Sequence, residues 1–145
     1  PIIKVRSGLP FSVTNNNVDA NLDGVPATDR AQLVGDPHLD NPSASMWFNT
    51  AAFAQNKVVT GVAVDGNSAR NFLEGPGYRV VDLALSRELA LPRGTRLTVR
   101  AEATNAFNIV SLGVPGTAVG STANFGICRT ANPMRRMQLG ARFTF

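Results

Sequence analysis

The sequence predicts an all-β fold of long antiparallel strands, each with one apolar and one polar face. Three observations predict it. From Tyr78 onward, apolar and polar residues alternate with period two over long segments, the pattern of two-faced strands. Thirteen glycines and nine prolines punctuate a 145-residue chain and favour short elements over long helices (Gly 13, Pro 9). No run approaches the roughly 20 apolar residues that a membrane helix needs, which says nothing against crossing a membrane with strands.

The alternation is clearest at the end. Met137, Leu139, Ala141, Phe143 and Phe145 are separated by Gln138, Gly140, Arg142 and Thr144, and Arg136 precedes them, which predicts a strand over 134–145. A second strand is predicted over 95–108, with Leu97, Val99, Ala101, Ala103 and Phe107 on one face and Arg96, Thr98, Arg100, Glu102 and Thr104 on the other. A third covers 78–91. It sets Val81, Leu83, Leu85, Leu89 and Leu91 against Asp82, Ala84, Ser86 and Glu88, and Arg79 and Arg87 interrupt its apolar face. Both of these put apolar residues at odd numbers, so a hairpin joining them must pair odd with odd. The loop Pro92-Arg93-Gly94 does so by setting Leu91 opposite Thr95, with Gly94 in the left-handed position. Leu85 then faces Ala101, Ser86 faces Arg100, and Glu88 lies diagonal to both Arg96 and Arg100. A fourth strand is expected at about 1–13. Segments 14–77 and 109–133 are irregular and read as loops.

Alternation alone also fits a soluble sandwich, which hides one face of each strand. Length argues otherwise, because the strands run to about 12 to 14 residues where globular strands usually have five or six. At about 3.3 Å per residue and a tilt near 40°, about twelve residues cover roughly 30 Å, enough for the apolar band of a bilayer. The polar faces are densely charged, as suits a water-filled lumen. The connections are asymmetric too: about three residues near position 93, against about two dozen at 109–133 and more than about sixty at 14–77, which is the pattern of transmembrane β-barrels. The expected fold class is therefore all-β, antiparallel strands of a transmembrane β-barrel with long extracellular loops. Four strands do not close a barrel, for which about eight is the working minimum, so they are expected to be part of a larger one.

Few residues offer chemistry. The net charge of +4 comes mainly from scattered arginines with no basic stripe, so nucleic-acid binding is not expected. His38 is the sole histidine and Cys128 the sole cysteine, which leaves no zinc cluster, disulfide or Cys–His pair within the chain. Gly75-Pro76-Gly77 lacks the Lys and Ser/Thr of a phosphate loop. Asp82 and Glu102 read as partners of Arg100 among lumen-facing charges that also include Arg96, Arg136 and Arg142. No catalytic site is expected, and the protein is not read as an enzyme. Asp19, Asn21, Asp23 and Gly24 match positions 1, 3, 5 and 6 of a calcium loop, but Arg30 stands where the bidentate Glu belongs at position 12. The expectation is no cofactor, with calcium a minor alternative to an Asx-rich turn. Trp47, Phe48 and Phe53 form the aromatic cluster of the long loop, either anchoring it to the barrel rim or offering contacts to a ligand.

Several segments carry a resemblance. They are Ser7-Gly8-Leu9-Pro10-Phe11, Asp29-Arg30 with Leu33-Val34-Gly35-Asp36-Pro37, Trp47-Phe48-Asn49-Thr50-Ala51-Ala52-Phe53, Asn67-Ser68-Ala69-Arg70-Asn71, Gly75-Pro76-Gly77-Tyr78, Arg100-Ala101-Glu102-Ala103 with Asn105-Ala106-Phe107-Asn108, and Asn124-Phe125-Gly126. Together they resemble the C-terminal end of TonB-dependent outer-membrane receptors, of the Oar-like type that carries a carboxypeptidase-regulatory-like N-terminal domain. The resemblance implies a barrel of about 22 strands, of which this chain supplies about the last four. The plug domain and TonB box are not in these residues, and four strands do not close a barrel, so a C-terminal fragment or truncated gene product is expected.

The run from Met137 to Phe145 resembles the strand signature read by the barrel-assembly machinery. Other implied partners are outer-membrane lipid, the rest of the barrel and its plug, and TonB through the N-terminal part. With Phe145 at the periplasmic rim, 14–77 and 109–133 become extracellular. The implied function is energy-coupled uptake of a substrate that these residues do not specify. Its rivals are a surface binding or adhesion protein on the same barrel and a soluble secreted β-rich binding domain.

Overall fold

Parity decides how the long strands pair. The structure, a computed structural model, describes residues 1–145 and divides into two units. Its strands are β1 (Ile2–Arg6), β2 (Pro10–Phe11), β3 (Gln32–Leu33), β4 (Phe53–Ala54), β5 (Leu73–Glu74), β6 (Tyr78–Ala90), β7 (Arg96–Thr104) and β8 (Arg136–Thr144). The first unit, 1–7 with 77–111 and 132–145, is a four-stranded antiparallel sheet in the order β1-β6-β7-β8. Between β6 and β7, Leu85 lies opposite Ala101, Ser86 opposite Arg100 and Leu89 opposite Leu97, the register that odd-with-odd pairing requires. β8 continues it with Leu139 opposite Ala101 and Ala141 opposite Val99, and β1 with Ile3 opposite Val81. Directly opposed residues share a face, so one face is apolar across all four strands.

The β6–β7 hairpin closes with the Leu91 amide donating to the Thr95 carbonyl at 2.9 Å. Gly94 has φ 77°, and Arg93 is left-handed as well at φ 65°, which the sequence did not indicate. Two strands end earlier than expected. β7 stops at Thr104 instead of 108 because Asn105 turns left-handed (φ 49°) and spends its side chain on the backbone. Its Nδ2 donates to the carbonyls of Ile109 (3.0 Å) and Pro133 (3.2 Å), and its Oδ1 accepts from the Ile109 amide (2.9 Å). β1 stops at Arg6 instead of 13, and the chain passes into the second unit at Gly8. There a Cβ on Gly8 would stand 1.8 Å from the Gly75 carbonyl oxygen, so only glycine fits.

The second unit, 8–76 with 112–131, holds most of the irregular segments 14–77 and 109–133. It has little regular structure: β2 pairs with β5, β3 with β4, and single bridges join Thr14 to Arg30 and to Ala118. It nevertheless has its own core, formed by Phe11, Val13, Ala31, Phe48, Ala52, Phe53, Leu73 and Val119. Phe48 sits at the centre, with ring centroids of Phe125, Phe53 and Phe11 at 5.2, 5.6 and 5.7 Å. A fully buried Asn15 replaces missing ladder bonds. Its Oδ1 accepts from the Asn56 amide (2.7 Å) and its Nδ2 donates to the carbonyls of Val18 (3.2 Å) and Asn56 (3.3 Å). Asn15→Ala strands those backbone groups and is expected to cost the unit about 1–3 kcal/mol, read as lost hydrogen-exchange protection at Asn56.

Candidate functional site

The sheet offers two chemically opposite faces. At odd positions, Ile3, Val5, Leu83, Leu85, Val99, Met137, Leu139 and Phe143 are all exposed; Leu85 is 74% and Leu139 78% accessible. Large apolar patches of this kind mark a surface meant for another apolar phase. Arg79 and Arg87 interrupt the row, and each has a stem long enough to lie along apolar surface while its guanidinium reaches water. Met137, Leu139, Ala141 and Phe143 belong to this face on β8, and Phe145 follows with its ring 6.3 Å from that of Phe143.

At even positions the face is charged. Asp82, Arg96, Arg100, Glu102, Arg136 and Arg142 all fall on it, as alternation requires, and Lys4 and Arg6 join them from β1. Lys4 Nζ pairs with Asp82 at 3.1 Å, and Arg96 with Glu88 at 3.2 Å. Arg100 pairs with Glu102 on its own strand, so only Arg96 takes the diagonal partner expected for Glu88. Asp82 also accepts the Asn105 amide at 3.0 Å and thereby ties the outgoing turn to β6. Arg136 and Arg142 have no carboxylate within 4.0 Å, which leaves this face with a surplus of positive charge. Lys4 and Arg6 were missed because β1 is short and its apolar Ile2 falls on the polar side.

In the second unit the aromatic trio separates. Phe48 and Phe53 are 2% and 7% exposed and lie in the core, and Phe48 also lines a cavity beside Trp47. Burying a phenylalanine removes a large apolar area from water, and without any regular core nearby these rings supply one. Trp47 alone remains half-buried; its Nε1 donates to the Glu74 carbonyl at 2.9 Å. A cavity of about 320 Å³ beside it is lined by Pro37, His38, Leu39 and Pro42. The His38 amide (2.9 Å) and ring (2.8 Å) bind Asp36 and hold its carboxyl below the usual range. Burial pushes the Cys128 thiol up, which keeps it protonated and inert.

Asp19 and Asp23 of the calcium-like motif do converge, and the structure adds Asp29, each bringing a carboxylate oxygen within 4.8 Å of the others. Asn21 is bonded to Asp23, its Nδ2 donating to the carboxylate at 3.1 Å and its Oδ1 accepting the Asp23 amide at 3.1 Å. Asp29 was missed because it stands one place short of the position a calcium loop reserves for its last ligand.

A search of curated proteins and a search of solved structures each returned no match. The profile of a family described as "Outer membrane beta barrel domain" matches residues 1–138. That match agrees with the all-β antiparallel architecture and the exposed apolar face, and it argues against the soluble secreted alternative. The chain belongs to the outer membrane β-barrel domain family, and its place is the bacterial outer membrane.

Proposed function

We propose that this chain is barrel wall of a TonB-dependent outer-membrane transporter. The observation that carries the reading is the four-stranded sheet with an exposed apolar face, a charged opposite face and two open edges, β1 and β8. In a bilayer every backbone donor and acceptor must be satisfied within protein, so those edges call for further strands of a closed barrel. The apolar face meets lipid, the charged face lines the lumen, and the segments 14–77 and 109–133 serve as extracellular loops. The resemblance of the segments from Ser7 to Gly126 supports the TonB-dependent type, in which a plug gates the lumen. Met137, Leu139, Ala141, Phe143 and Phe145 then serve as the assembly signal.

The gene upstream of the Pro1 codon tests the reading. The expected result is earlier barrel strands preceded by a plug domain and a TonB box. A barrel without a plug, or an unrelated upstream domain, overturns transport. A surface binding protein on the same barrel is the second reading, and the self-contained core of the second unit favours it, since a folded body is a better display platform than open loops.

A further inference from the structure

We propose that Asp19, Asn21, Asp23 and Asp29 form a calcium site in the second unit. Asp19, Asp23 and Asp29 set carboxylate oxygens within 4.8 Å of one another, a spread that one ion bound at about 2.4 Å to each oxygen accommodates. No Lys or Arg nitrogen lies within 4.0 Å of any of the three. The adjacent Arg30 is turned to Asp65 (2.8 Å) and the Ser68 carbonyl (3.1 Å).

Asp29 supplies an independent observation. It is only 3% exposed, its Oδ2 accepts the amides of Ala20 (2.8 Å) and Asn21 (3.3 Å), and its Oδ1 has no hydrogen-bond partner. A buried carboxylate oxygen without a partner is costly. Asp19 accepts the amides of Asp23 (3.2 Å) and Gly24 (3.1 Å) and Asp23 that of Val25 (2.7 Å), but these neutral donors, like a water molecule on the Asp29 oxygen, bring no positive charge to set against three carboxylates. A cation answers both demands.

The chemistry selects the ion. All side-chain donors are oxygens, which suits hard cations and disfavours zinc or copper. Spacing supports calcium: Asp19, Asn21 and Asp23 occupy positions 1, 3 and 5, and Gly24 at position 6 has the left-handed φ of 81° that the sharp turn needs. Position 12 is Arg30, and Asp29 at position 11 supplies the closing carboxylate instead. Its side chain reaches back to the start of the loop through the Ala20 and Asn21 amides. Binding there fastens 19–29 into a closed loop, and it holds whether the barrel transports or only displays.

The test is hydrogen exchange of amides 20–25 in the chain held in detergent, stripped with EDTA and titrated with calcium chloride. Protection is expected to saturate with a midpoint on the order of 0.1–1 mM, the range of extracellular calcium modules, and magnesium at equal concentration is expected not to reproduce it. Asp23→Asn alters an exposed side chain without a core role and should raise the midpoint at least about tenfold. Asp40→Asn, outside the cluster, should leave it unchanged. Since Asp29→Asn risks the fold, Asp19→Asn serves as the second variant and should behave as Asp23→Asn does. Protection indifferent to calcium up to about 10 mM, or an unchanged midpoint in both variants, overturns the site.

Discussion

Leu139→Arg is expected to prevent stable assembly of the barrel that contains this sheet, while Gln138→Arg, one residue away, is tolerated. Leu139 is opposite Ala101, which is in turn opposite Leu85, and this row crosses the middle of β6, β7 and β8. Its exposure makes sense only if hydrocarbon covers it. An arginine at the bilayer midplane of a barrel wall costs about 2–4 kcal/mol, and near the centre of the span snorkelling offers the least relief. Gln138 is opposite Glu102 on the charged face, where an added guanidinium meets water and a carboxylate, so its change should stay within about 0.5 kcal/mol. The readout is the fraction of barrel in the outer membrane that resists protease and migrates as the folded form on unheated gels. Equal loss from both variants would remove the distinction between the faces.

Phe48→Ala is expected to dismantle the second unit, at a cost of about 3–5 kcal/mol for a buried phenylalanine. Its ring is packed against Phe11, Phe53 and Phe125, and the unit has few ladder bonds with which to compensate. Trp47→Ala loses one hydrogen bond and a half-exposed ring, and should cost distinctly less. Amide exchange at Val34, which donates to the Ala52 carbonyl at 2.8 Å, reports on the core directly. Protection that survives Phe48→Ala but not Trp47→Ala would reverse this account of the aromatic cluster.

The sheet was legible because period-two alternation is a local signal and parity converts it into register. Leu85 opposite Ala101 and Ser86 opposite Arg100 follow from counting residues through Pro92-Arg93-Gly94. Strand ends were less legible. Asn105 continues the alternating composition, yet its short amide side chain competes for backbone partners and ends β7. The second unit was illegible as a fold. Phe11, Phe48, Phe53, Phe72 and Phe125 come from distant parts of the chain with no period, and Asn15 reads as one of several polar loop residues although it is fully buried. The acidic cluster was half legible. Asp19, Asn21 and Asp23 have motif spacing, but Asp29 joins them only through the path of the folded chain.

The central claim is that odd-numbered residues of the long strands face lipid and even-numbered ones face water. Single cysteines placed at 96–104 and 136–144 in a Cys128→Ser background, each carrying a spin label, test it most directly when the whole barrel is in a bilayer. Accessibility to dissolved oxygen should peak at Leu97, Val99, Ala101, Met137, Leu139 and Ala141. Accessibility to a water-soluble nickel chelate should peak at Arg96, Thr98, Arg100, Gln138 and Arg142. Alternation of that phase along both strands is the predicted result. Accessibility without period two, or with odd residues reached by the nickel chelate, would contradict the account.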